Sequence, residues 1–224
     1  GIKLKSPPHS ANASYTLTFP NNDGNANEFL QTNGSGVMTW AGASSDYVKL
    51  NETNYSSAVS TFSIDGHHTS DYDIYDYIID DLSATATSNA VRIRFNFGGS
   101  AATGTNYRKM GYDAYGDAGS GTVGADRDWD LAFIRPNGNW STPSHTTNMR
   151  GTLRVRLYMA NSTTRFKHIE YYSGYQHYNT TQIVNNQGFA TYTNSASTAC
   201  SGLTFYTSSG GNYGSYRVRV YGIK

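Results

Sequence analysis

Three stretches of this chain repeat one short pattern: Val91-Arg92-Ile93-Arg94-Phe95, Leu153-Arg154-Val155-Arg156-Leu157 and Tyr216-Arg217-Val218-Arg219-Val220. Apolar residues and arginines alternate with a period of two, the repeat of a strand with one buried face. Wound into a helix, the same residues would scatter around the axis and leave no apolar stripe. As strands, they aim their apolar side chains into a core and their arginines away from it. A sheet with one packed and one wet face is commonly antiparallel. The expected fold class is therefore all-β, with a jelly-roll-like antiparallel β-sandwich as its main body.

Composition agrees and narrows the function classes. Charged residues are 15% of the 224, well under the usual quarter, so Asn, Ser and Thr must carry solubility. Tyrosine is abundant at 19 and glycine at 23, as in a turn-rich extracellular or particle-bound β protein and unlike a helical cytosolic enzyme. A formal charge of +1 offers no global footprint for nucleic acid. Cys200 is alone, which excludes an intrachain disulfide. No apolar run reaches bilayer length and the start is not signal-like, so membrane insertion is not expected. The chain begins at Gly1 inside a strand-like Ile2-Lys3-Leu4-Lys5, as expected of a piece of a longer polypeptide or of a processed terminus.

Two domains are expected, 1–45 and 46–224, with the small-residue stretch Ala41-Gly42-Ala43-Ser44-Ser45 between them. In the first, Tyr15-Thr16-Leu17-Thr18-Phe19 alternates and stops at Pro20, and Asn33-Gly34-Ser35-Gly36 is a hairpin turn before Val37-Met38-Thr39-Trp40. Some forty residues without a disulfide bury too little core alone, so sharing a core with neighbouring copies is the simplest repair. The run Tyr15 to Pro20, then Asp23-Gly24, Phe29-Leu30-Gln31-Thr32, Gly34-Ser35-Gly36 and Trp40, resembles a peptide common in bacteriophage fibre proteins. Phe19 stands where leucine is commoner there, and Asn33 where aspartate is. The resemblance implies an elongated, usually trimeric virion appendage with this segment ahead of a distal domain. The Tyr72-Asp73-Ile74-Tyr75 start and the terminal Val220-Tyr221-Gly222-Ile223-Lys224 also resemble a domain that ends many marine phage fibre-like proteins; that match assigns no site.

In the second domain eight to ten strands and no helix are expected. Thr61 to Asp65, Tyr72 to Leu82, Trp129 to Ile134 and Phe166 to Tyr172 read as strands, and Ser201 to Thr207 with Tyr216 to Ile223 as a closing hairpin. Between Gly98 and Asp126 one strand at Tyr107-Arg108-Lys109-Met110 is expected, and otherwise loop. A loop of that length usually has a task.

The candidate chemistry follows from these placements. The six arginines have three readings: cross-strand pairing with Asp and Glu, a subunit interface, or a grip on an acidic ligand. Asp126, Asp128 and Asp130 alternate on one strand face and form a weak calcium candidate, without the EF-hand glycine and closing glutamate. His67, His68, His177 and Cys200 lack metal-ligand spacing and are expected as surface histidines and a lone thiol. Acids such as Asp73, Asp76, Asp80, Asp81, Asp113, Asp117 and Glu170 are available for hydrolysis but cannot be paired from sequence, and there is no GxSxG or phosphate loop. Aromatics outside the alternating runs, namely Tyr107, Tyr112, Tyr115, Trp140, Tyr175, Tyr178 and Tyr213, either offer flat faces to a sugar or cap the core.

The expectation is a non-enzymatic, cofactor-free virion protein, a tail fibre or fibre-like appendage that recognises a host-surface glycan or protein. Its other partners would be copies of itself, as a trimer, and other virion proteins; no nucleic acid is expected. A capsid-decorating head fibre is the first alternative, and a polysaccharide-degrading enzyme or free carbohydrate-binding module the second.

Overall fold

The computed structural model describes residues 7–83, 90–117, 120–131, 134, 151–176, 183–194, 197–208 and 211–224. The chain divides into two compact units, Gly1–Ser45 and Asp46–Lys224. The strand-like residues 2–5 lie outside the described residues.

In the small unit β1 (Glu28–Thr32) pairs antiparallel with β2 (Met38–Gly42). Asn33 fixes the turn: its Oδ1 accepts from Ser35 N at 2.8 Å and from Val37 N at 3.2 Å. Gly36 adopts a φ of 85°, and its carbonyl accepts from Thr18 N at 2.8 Å. A Cβ on Gly36 would strike the Thr16 carbonyl oxygen. Gly36→Ala is therefore expected to cost about 1–2 kcal/mol for the left-handed backbone alone. The Thr18 and Met38 amides, which tie the 15–19 segment to this hairpin, should then exchange faster with solvent; unchanged exchange at both would contradict this account. Tyr15, Leu17, Phe19, Phe29 and Val37 remain 42–64% exposed in this unit.

The large unit contains, among the described residues, twelve strands. They are β3 (Tyr47–Tyr55), β4 (Thr61–Asp65), β5 (Ile74–Leu82), β6 (Val91–Phe97), β7 (Ser100–Ala101) and β8 (Tyr107–Asp117). After these come β9 (Ser120–Leu131), β10 (Gly151–Tyr158), β11 (Lys167–Gln176), β12 (Ile183–Tyr192), β13 (Gly202–Thr207) and β14 (Tyr216–Ile223). They form an eight-stranded sheet in the order β3-β14-β5-β10-β11-β12-β8-β9 and a four-stranded sheet in the order β4-β13-β6-β7. Every pairing between these strands is antiparallel. Set β8, β9, β11 and β12 aside, and β3-β14-β5-β10 with β4-β13-β6-β7 is the two-by-four arrangement of a jelly roll. The other four strands continue one sheet beyond β10.

The three arginine strands fold as their period dictates. Ile93, Phe95, Val155, Leu157 and Val220 are fully buried, and the intervening arginines are not. The core between the sheets is strongly aromatic: Phe62 stacks on Phe205 at 5.0 Å and on Tyr216 at 4.5 Å.

Three expectations are corrected. The stretch after Gly98 holds more than the expected strand at residues 107–110, which begins β8: β8 and β9 form a long hairpin where loop was expected, because ladder hydrogen bonds satisfy a Gly-, Ser- and Tyr-rich backbone without apolar alternation. β12 was not expected for the same reason; its run Asn185-Asn186-Gln187-Gly188 carries no period-two signal. β13 and β14 are no hairpin but lie in different sheets. Tyr213 exchanges backbone hydrogen bonds with Val59, 2.7 and 3.3 Å, and this bridge lies between them on the path from one sheet to the other.

Candidate functional site

Register places the outward side chains of the large sheet in rows that cross its strands. One row reads Arg156, Glu170, Phe189, Met110, Arg127 across β10, β11, β12, β8 and β9. The next reads Arg154, Tyr172, Gln187, Tyr112, Ala125. Between the two rows lies an open groove of about 760 Å³, floored by the backbone of Gly111 and Gly188. Met110, Tyr112, Val123, Tyr172, Ile183 and Phe189, each 44–70% exposed, all stand on this one face of β8, β9, β11 and β12. Large apolar side chains gathered on one exposed sheet face mark an interaction surface far better than the same residues scattered singly.

The opposite, inner face explains the two glycines. The Tyr171 ring, buried, lies against Gly188, and a Cβ there would collide with the Tyr171 hydroxyl and stand 2.7 Å from the Met110 carbonyl. Gly111 is paired with Gly188 in the ladder and faces the same phenol.

At the β10 edge of the groove, the guanidinium groups are anchored from below. Asp76 on β5 is fully buried. Its carboxylate accepts from Arg154 Nη2, from Arg156 Nε at 3.0 Å and Nη2 at 2.8 Å, and from the Tyr47 hydroxyl at 3.2 Å. Burial alone would raise the Asp76 carboxyl, but hydrogen bonds from Arg156 and Arg154 outweigh it and hold the group below its ordinary pKa. The same bonds raise both arginines. Asp80, two strand repeats further along β5, receives Arg217 Nη2 at 3.1 Å and Arg219 Nη2. Four of the six strand arginines thus pair across strands with aspartate, while Arg92 and Arg94 lie over the Tyr206 ring at 5.9 and 4.5 Å.

Of the expected aromatic binders among the described residues, Tyr112 alone is placed in the groove. Tyr107 is 1% exposed; its ring sits 4.6 Å from Tyr192, and its hydroxyl donates to the Ala102 carbonyl at 3.0 Å. Tyr175 and Tyr213 are likewise buried, Tyr213 with its ring edge on Phe62. These three are core residues, because they occupy inward positions of strands or of the bridge to Val59 and no ligand can reach their faces. Trp140, Tyr178 and His177 lie outside the described residues, as does the Tyr115 side chain. The backbone sets Asp126, Asp128 and Asp130 at alternate positions of β9, with their side chains outside the described residues. Among the described residues no three His, Cys, Asp or Glu side chains gather as a cation site, and no helix is long and apolar enough to cross a membrane. Met110, Tyr172, Gln187 and Phe189 were missed; in sequence they stand apart, and only strand pairing joins them.

His68 is not a surface histidine. Nδ1 lies 2.7 Å from the Cys200 carbonyl, which can only accept, so Nδ1 carries the proton. Nε2 then accepts from the Tyr77 hydroxyl at 2.5 Å. Burial pushes the imidazole down to about 4 and the Cys200 thiol up to about 12, so both are neutral, structural groups at pH 7.

No protein-family model, curated protein or solved structure matches this chain.

Proposed function

We propose that this chain is a non-enzymatic adhesion protein of a phage tail fibre or fibre-like virion appendage. The jelly-roll unit holds a host-surface glycan on the outer face of its large sheet, and the small unit joins copies, three in the favoured reading. The observation that carries adhesion is the gathering of six exposed large apolar side chains on one sheet face, four of which, Met110, Tyr112, Tyr172 and Phe189, line one groove. Aromatic rings in a shallow groove beside amide and guanidinium donors suit sugars, whose rings offer apolar faces edged by hydroxyls. Glu170 is the single carboxylate among the groove residues described, and glycoside hydrolysis uses two, which supports binding over cleavage. The exposed Tyr15, Leu17, Phe19, Phe29 and Val37 support assembly through the small unit, as does the fibre-like pattern over residues 2–40. Several weak sites on one particle multiply into avidity.

The test is retention of the full chain on immobilised bacterial capsule and lipopolysaccharide preparations, with reducing ends assayed in the supernatant. Retention without new reducing ends is expected, together with a sedimenting mass of three chains. Release of reducing ends overturns the non-enzymatic reading, and a stable monomer overturns the assembly. Phe189→Asp should weaken retention about tenfold, roughly 1.4 kcal/mol, with an unchanged melting temperature.

A further inference from the structure

We infer that the groove takes a carboxylated saccharide, its rings against Tyr172 and Tyr112 and its carboxylate on Arg154. This rests on the adhesion reading above and names the ligand class within it. A guanidinium carries five N–H donors in a planar fork. Arg156 turns Nε and Nη2 onto Asp76, a bidentate grip, whereas Arg154 gives Asp76 one hydrogen bond from Nη2 and has a side chain 48% exposed. The remaining edge of Arg154 can take a second carboxylate in the bidentate geometry that arginine favours. Asp76 is buried beneath both arginines, so it fixes their positions without meeting a ligand.

Charge runs the same way. On the outer face around the groove, Arg108, Arg127, Arg154 and Arg156 stand against Asp76 and Glu170, a surplus of two positive charges among the described residues. Glu170 lies opposite Arg156 in the neighbouring row and accepts from the Tyr158 hydroxyl at 2.7 Å. Its charge steers an anionic group away from that row and towards Arg154.

The spacing selects a sugar acid over a simple anion. Tyr172 is the direct cross-strand neighbour of Arg154, one strand step of about 4.8 Å away. A carboxylate carried on the sugar ring itself, as in a uronic acid, sets anion and ring that close together. Tyr112 lies two further strands along the same row. Asn185 Nδ2 donates to the Tyr172 hydroxyl at 2.8 Å, and Gln187 Nε2 donates to that of Tyr112. Each phenol oxygen therefore accepts from an amide, and its own hydrogen is available to a sugar hydroxyl.

The test is calorimetric titration of the full chain with oligomers of galacturonate, alginate, hyaluronan and polysialic acid, with their methyl esters, and with dextran and cello-oligomers. At least one acid should bind, and esterification of that same probe should weaken it at least tenfold. Arg154→Gln should lose the same factor for the acid and little for the ester, while Arg217→Gln, held by Asp80 away from the groove, should change neither. Equal binding of acid and ester, or of neutral probes alone, overturns the carboxylate inference and leaves the adhesion reading standing. Binding by none of the acidic or neutral probes overturns both. The acid-against-ester comparison needs no variant, so it decides the matter even if Arg154→Gln fails to fold.

Discussion

Asp76→Ala is expected to lower the unfolding free energy by about 3 kcal/mol, the low end of the range for removing one partner of a buried ion pair. The carboxylate is fully buried and is the shared acceptor of Arg154, Arg156 and the Tyr47 hydroxyl. Without it two like charges stay side by side on β10 with no counter-charge beneath them. The guanidinium groups are partly exposed and can hydrate, which is why the upper end of the range is not reached. Asp80→Ala provides the comparison: this carboxylate holds two arginines in the same cross-strand way but is 20% exposed, so about 1 kcal/mol is expected. Urea midpoints at constant m would report both. If Asp76→Ala cost no more than Asp80→Ala, burial would not be what makes this anchor matter.

The second large effect is acid destabilisation through His68. Its folded pKa, about 4, lies below the ordinary 6.5, so the native state keeps the ring neutral where the unfolded chain binds a proton. Stability contributed by the neutral ring is complete above pH 6.5 and is lost as pH falls from 6.5 towards 4. Below that the native ring protonates too and the loss levels off. A shift of this size corresponds to roughly 3 kcal/mol over the window. Protonation also turns Nε2 from an acceptor of the Tyr77 hydroxyl into a donor. The groups around the ring give it little help in charging: Tyr75 and Tyr77 are uncharged, His67 opposes the proton, and Asp65 favours it only weakly against burial. Unfolding curves for the wild type and His68→Gln at pH 7, 6, 5 and 4.5 would test this. The wild type should lose stability more steeply, and parallel curves would rule out His68 as the source.

The sandwich was legible where side chains alternate. Val91 to Phe95, Leu153 to Leu157 and Tyr216 to Val220 each announce a half-buried strand, and β6, β10 and β14 are those strands. β12 was illegible because Asn186 is buried while its neighbours Asn185 and Gln187 face outward, so chemistry does not separate the two faces. The site was harder still. Tyr107, Tyr175 and Tyr213 looked like loop aromatics because glycine and polar residues surround them, whereas pairing turns them inward. Tyr112, Tyr172 and Phe189 become neighbours only through the β11–β12–β8 register, which nothing local encodes.

The double layer is already closed by β3, β14, β5 and β10 over β4, β13, β6 and β7, and the groove strands are added at the free edge of β10. The four strands that carry the groove, β8, β9, β11 and β12, have no seat in that eight-strand frame. Their inward side chains, Tyr107, Tyr171 and Ala190 among them, belong to the core, but their outward ones do not, so under the adhesion proposed above a lineage could exchange what the groove holds while inheriting the same chassis.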